Sequence, residues 1–266
     1  MIRGGSWLLV LSVATAMGLA LATEPEKPKA AKKTEKRNLV VNGDFEAGET
    51  PPTGWQTIDG LSTFWVKDAD RKHGKVLKFH TDILQSQAYK WWVKVAKGAS
   101  PKDAPKKLPT KEPKYDTLAG LDGVWFWSDY IPVEEGKAYW LTLDVKGPSI
   151  LVWLVGYPKK GSTAFGSENG AFQDVLKEAA LKKPVPKKRG HDPFIHQYVW
   201  KGQLSAGGAN EWKTYARRKR PFRPTLSAGR PNGVKFVRVM IYPFWPPATY
   251  HVDNVKLLEW QNKEEK

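Results

Sequence analysis

The chain has 266 residues, 41% of them hydrophobic and 12% aromatic, with 13 tryptophans, no cysteine and a formal net charge of +16. Zero cysteines exclude a disulfide-stapled scaffold, thiolate metal sites and a cysteine nucleophile. The positive charge favours a partner or surface of negative charge.

Residues 1–22 read as a secretory signal: Arg3 supplies the positive start, the stretch from Trp7 to Ala22 is mostly apolar, and Ala20-Leu21-Ala22 is a small-x-small cleavage site. Cleavage is expected before Thr23, and loss of Arg3 leaves 16 − 1 = +15. That apolar stretch falls short of the roughly 20 residues of a membrane span, and no later segment comes near that length. An exported protein is therefore expected, secreted or in the periplasm or cell envelope, with no transmembrane segment. Nucleic acid is not an expected partner, and without cysteine neither is a lipid anchor after the signal. Residues 23–37 are Lys, Glu, Pro and Ala, a composition that cannot offset the entropy of ordering, so a disordered leader is expected. Residues 38–260 read as one domain and 261–266 as a charged tail.

Strand signals dominate that domain. Leu39, Val40 and Val41 form a short apolar strand, Asn42-Gly43 is a turn pair, and Phe45 is placed to point inward. Residues 63–66 and 76–80 read as strands. The stretch 88–118 begins with Tyr89, Trp91 and Trp92 and continues through Pro, Lys and Ser, which reads as an insertion with little regular structure. Residues 124–131 resume strand character, and 139–146 alternate as a half-buried antiparallel strand. Residues 150–157 are a nearly continuous apolar run suited to the centre of a sheet. A second insertion covers about 158–193, and within it Phe172, Val175, Leu176, Ala179 and Ala180 predict one short helix over 169–182. Strands at 194–200, 212–215, 234–242 and 252–260 complete an all-β antiparallel sandwich with two lysine-rich insertions. The basic runs 90–114, 182–189 and 217–223 read as solvated loops.

Several segments carry a family resemblance: Asn42-Gly43-Asp44-Phe45-Glu46, Gly54-Trp55, residues 138–147, residues 210–213, and His251-Val252-Asp253-Asn254-Val255. In order and rough spacing they resemble carbohydrate-binding modules of the family 4, 9 and 22 type, members of the galactose-binding-like β-sandwiches. The resemblance implies a jelly-roll sandwich whose first and last strands lie side by side. It also implies a structural Ca²⁺ held by Glu46 and Asp253, with the Asp44 carbonyl as a further ligand. Oxygen donors of this kind suit a hard cation. The residues alone leave another reading open, in which Glu46 accepts backbone N–H bonds at a turn and Asp253 makes a local contact.

Tryptophan and tyrosine faces stack on the apolar face of pyranose rings. Trp55, Trp140 and Trp212 occupy framework positions and are expected in the core. Trp125, Trp127 and Trp245 are the candidates for a glycan cleft, since Trp125 and Trp127 fall on one face of a strand. Tyr242 joins them, and Gln197, Arg238, Asp129 and His196 are the polar neighbours. Arg238 alternates with Val237 and Val239 and is suited to a uronate or sulfate, although the residues equally allow a cross-strand ion pair or simple solvent exposure. Catalytic signatures are weak: there is no Gly-x-Ser-x-Gly elbow, no His-Glu-x-x-His pair and no phosphate-cradling loop. A polysaccharide or cell-surface glycan binder without catalytic activity is therefore expected, with acidic polysaccharide favoured by charge. The alternatives are a structural or adhesive envelope protein on the same fold and a polysaccharide lyase using His196 and Tyr198.

Overall fold

Alternating side chains along β5 (Ala138–Gly147) and β12 (Thr249–Trp260) fix the first layer: Tyr139, Leu141, Leu143 and Val145 lie beside Tyr250, Val252, Val255 and Leu257 on its inner face. The computed structural model describes residues 37–49, 51–69, 72–106, 114–160, 198–217, 220–224, 226–227, 230–231 and 233–260. All lie in one compact unit, Lys36–Lys266. The signal at 1–22, nearly all of the leader, the helix predicted over 169–182, His196, Gln197 and the tail lie outside the described residues.

Two five-stranded antiparallel sheets make the sandwich. The first runs β1 (Thr63–Lys67), β2 (Lys75–His80), β12, β5, β8 (Ala209–Ala216). The second runs β3 (Phe126–Trp127), β11 (Phe236–Tyr242), β6 (Ile150–Tyr157), β7 (Trp200–Ala206), and β4 (Ile131–Pro132) also pairs with β11. A further small pair joins β9 (Leu226–Ser227) and β10 (Arg230–Pro231). Between the two large sheets lie Phe45, Phe79, Phe126, Val152, Leu154, Val237, Val239 and Ile241, all fully buried.

The expected first strand at 39–41 is an irregular segment laid beside β12 instead. Asparagine side chains make much of its pairing: Asn38 Oδ1 accepts from Leu257 N at 2.9 Å, and Asn38 Nδ2 donates to Val255 O at 3.0 Å. Asn42 (φ 48°) and Phe45 (φ 54°) adopt left-handed backbone, which ends any regular ladder. The approach is so close that a Cβ on Gly43 would lie 1.9 Å from Val255 O. Opposite it, β12 carries a bulge at Asn254 (φ 51°), where its register with β5 shifts between Asp253 and Lys256.

The stretch 88–118 departs from expectation at its start. α1 (Gln85–Ala96) buries Ala88, Trp91 and Trp92, a stripe at helical spacing. Asp59, 1% exposed, seats it: Trp92 Nε1 donates to Asp59 Oδ2 at 2.6 Å and Trp91 Nε1 to Asp59 O at 2.6 Å. The same carboxylate accepts from the amides of Leu61, Ser62 and Thr63, so its burial is compensated by hydrogen bonds. Of the framework tryptophans, Trp55 is core at 4% exposure. Trp140 and Trp212 are half-buried, and both fall outside the interior cluster because their strand parity turns them to the outer face of the first sheet.

Candidate functional site

The strands that fill the core with one set of side chains carry aromatics on the other. On β6 the outward set is Leu151, Trp153, Val155 and Tyr157; on β11 it is Phe236, Arg238, Met240 and Tyr242. Met240 stands in register with Trp127 on β3 and with Trp153 on β6, so a row of large apolar side chains crosses three strands. One step along, Arg238 pairs with Val155, which pairs with Lys201 on β7.

These rows form a cleft of about 200 Å³ on the outer face of the second sheet. Trp127, Met240, Trp153, Val155 and Tyr157 line it together with Trp125, Tyr242, Tyr198 and Lys201. The rings pack edge to face: Trp125 on Tyr242 at 5.9 Å between centroids, and Tyr130 on Tyr157 at 5.2 Å. Phe244 stacks on Tyr242 at 5.3 Å. Burial raises the pKa of the Tyr242 hydroxyl, Trp125 opposes that shift, and Asp122 adds to it, so the hydroxyl stays protonated at neutral pH. Among the described residues, the buried Trp127 N–H meets no acceptor.

The sequence candidates are thus partly gathered. Trp125, Trp127 and Tyr242 line the cleft. Arg238 is on the right face but only 2% exposed. Its Nε donates to Ser128 O at 2.6 Å and its guanidinium lies 4.9 Å from the ring centroids of both Trp127 and Tyr130. It therefore backs the cleft and is not placed to pair bidentately with a ligand. Trp245 does not line the cleft; 40% exposed, it stacks face to face on Tyr115 at 5.2 Å. Asp129 is exposed, with its amide bonded to Gly54 O. Gln197 and His196 are outside the described residues. Trp153, Tyr157 and Lys201 were not among the candidates, although period-two counting along 150–157 places Trp153 and Tyr157 on one face.

The acids read as calcium ligands are engaged separately. Glu46 Oε1 accepts from Lys75 N at 2.7 Å and packs so tightly on Gly74 that a Cβ there would lie 2.1 Å from it. Asp253, 1% exposed, accepts from Asn254 N at 2.7 Å and faces His73 Nδ1 at 2.8 Å. Burial pushes the Asp253 carboxyl up to about 6, and His73 opposes the shift. His73 in turn stacks on Trp212 at 4.0 Å, and Trp212 Nε1 donates to Asp68 at 2.7 Å. Asp44 is exposed. Glu46 and Asp253 thus grip the turn 72–75 by separate bonds. Among the described residues no three His, Asp or Glu side chains gather as a metal would need. As placed, Glu46 and Asp253 are each held by protein donors, and a bound Ca²⁺ would have to draw on backbone oxygens besides these two carboxylates.

No family model matches the chain, and no curated protein matches it. Among solved structures, the chain is similar to the enzymatically active domain of bacteriophage CBA120 tailspike protein 4, at 11% identity and a TM-score of 0.43 over 84% of this chain and 21% of that one. It is similar to the arabinose-bound MgGH51 α-L-arabinofuranosidase at 12% identity and 0.42, over 85% of this chain and 27% of that one. It is also similar to a family 16 carbohydrate-binding module at 14% identity and 0.40, over 84% of this chain and 100% of that one. The chain thus spans about a fifth to a quarter of the first two proteins. No helix among the described residues is long and apolar enough to cross a membrane.

Proposed function

We propose that the chain is an exported, non-catalytic carbohydrate-binding protein that holds a polysaccharide by aromatic stacking. The observation that carries this reading is the cleft itself: Trp127, Trp153 and Trp125 on one sheet face, with Tyr242 and Tyr198 supplying hydroxyls. Large flat rings beside a few polar groups suit a pyranose, which offers an apolar C–H face and a rim of hydroxyls. An open cleft lined by Trp125 and Trp127 favours binding over the alternative, a structural or adhesive envelope protein that has lost sugar binding. The high net charge supports an acidic polysaccharide or an anionic cell surface as the setting.

A second reading draws on Tyr198 and Lys201 lying together in the cleft, since a lyase needs a proton-moving group beside a cation that neutralises a uronate. Incubation with uronic-acid polysaccharides separates the two, because a lyase releases unsaturated products that absorb in the ultraviolet.

The test of binding is affinity electrophoresis of the purified chain in gels containing neutral, uronate and sulfated polysaccharides, at low and high salt. Retardation that survives high salt and is lost in Trp127→Ala supports an aromatic site. Retardation abolished by salt alone would leave only charge, and none at all would favour the structural role.

A further inference from the structure

We infer that the cleft takes a glycan bearing an anionic substituent, carboxylate or sulfate ester, and that Lys201 is the residue that selects it. This rests on the glycan-binding reading of the cleft.

Lys201 is the charged residue among those that line the cleft, and no acid lines it. Its ammonium lies 4.7 Å from the Trp153 ring centroid and 5.8 Å from that of Tyr198, held over the faces a sugar would use. Among the described residues no carboxylate pairs with it. A pyranose entering over Trp153 takes the ammonium's place on the ring face and leaves this cation, with its three donors, at the sugar's edge. Hydroxyls can accept from that ammonium, but an ionised substituent makes shorter and stronger bonds to it.

The surroundings add to this polarity. Arg238, in the same register row two strands away, places a second positive charge on the same sheet face, against Trp127 and Tyr130, at 2% exposure. Fields from buried charges are less screened than those from exposed ones. The acid that bears on the site, Asp122, acts on Tyr242, two register steps from the Lys201 row, and accepts hydrogen bonds from Gln85 and Tyr89. Asp129 is exposed and lies beyond Ser128. The cleft is thus positive at the Trp153 and Lys201 side, and the anionic group belongs there.

The experiment uses uronic-acid polysaccharides with their carboxyl-reduced counterparts, and sulfated polysaccharides with their desulfated counterparts. Titration calorimetry measures the affinity of the purified chain for each member of each pair. The expected result is a charged form bound roughly ten- to hundredfold more tightly than its neutral partner. Lys201→Gln should collapse that ratio, and Lys256→Gln, on an exposed position of the other sheet, should preserve it. The pair that shows the ratio tells carboxylate from sulfate. Equal binding of charged and neutral forms, unaltered in Lys201→Gln, would overturn the role of Lys201 and leave aromatic binding standing. Trp153→Ala without effect on any bound polysaccharide, or no binding to any pair, would overturn the binding reading and this inference with it.

Discussion

The Arg238 guanidinium sits 4.9 Å from the Trp127 ring centroid, so a buried charge props the floor of the cleft. Shortening the side chain and removing the charge should have separable effects. Arg238→Ala leaves a cavity and strips the bond to Ser128 O, and should cost ~2–4 kcal/mol in urea unfolding. Arg238→Met keeps the volume, and because a well-packed apolar residue can replace a buried ion at little cost, its stability should stay within ~1–2 kcal/mol of the parent. Its glycan affinity should still fall, since the positive charge against the Trp127 ring is gone. Equal loss of stability in both variants would show that the charge itself holds the fold.

On the proposed glycan-binding reading Trp127 and Trp153, in register with Met240, are the platforms, and each should contribute ~1–2 kcal/mol of stacking, or about 5- to 30-fold in affinity. Trp127→Ala and Trp153→Ala should therefore weaken binding by that much in calorimetry. Trp245→Ala should not, because its ring rests on Tyr115 outside the cleft. A larger loss in Trp245→Ala than in Trp153→Ala would move the site.

The His73 and Asp253 contact joins the β1–β2 turn to β12. His73→Ala leaves a buried carboxylate without its partner, and a destabilisation of ~3 kcal/mol is expected at neutral pH. Adding Asp253→Asn to that variant should recover part of the loss, because the uncompensated charge is gone. Excess Ca²⁺ or a chelator should leave the parent's melting temperature unchanged. A rise with Ca²⁺ would mean that the turn yields Glu46 and Asp253 to the ion.

Tyr250 is fully buried, and burial pushes its hydroxyl up to about 12. In the unfolded chain a tyrosine ionises near ~10. The stability that goes with its protonated form is therefore fully present below pH ~10 and is lost as pH rises through the folded value, by ~3 kcal/mol at most. Tyr139 and Tyr242 shift in the same direction, also through burial. Denaturant midpoints measured across alkaline pH should fall steeply in that window, and Tyr250→Phe should flatten the fall.

Much of the sandwich was legible because strand parity is local. The alternation along 138–147 and the paired orientation of Trp125 and Trp127 needed no distant partner to be read. Trp153 and Tyr157 were hidden by their own strand: a sheet centre that is apolar on both faces looks the same whether its outer face meets protein or ligand. The start of the 88–118 stretch, read as irregular, is the helix α1, since the Pro and Lys that follow it masked the spacing of Ala88, Trp91 and Trp92. The parity of Arg238 was correct and its burial was not visible, because Trp127 of β3 and Tyr130 of the link to β4 pack against it from a distant part of the chain. The partner of Asp253 lies 180 residues away, a distance at which no local pattern speaks.

The cleft residues come from β3, β6, β7, β11 and the residues just before β3 and β7, and no short stretch of chain carries enough of them to hold a sugar alone. Any molecule bound there is held by the folded form and not by the unfolded one. At a hundred times its dissociation constant it should raise the unfolding free energy by about 2.7 kcal/mol. Heat resistance thus becomes a label-free reporter, and a library of oligosaccharides can be ranked by the melting shift each one produces.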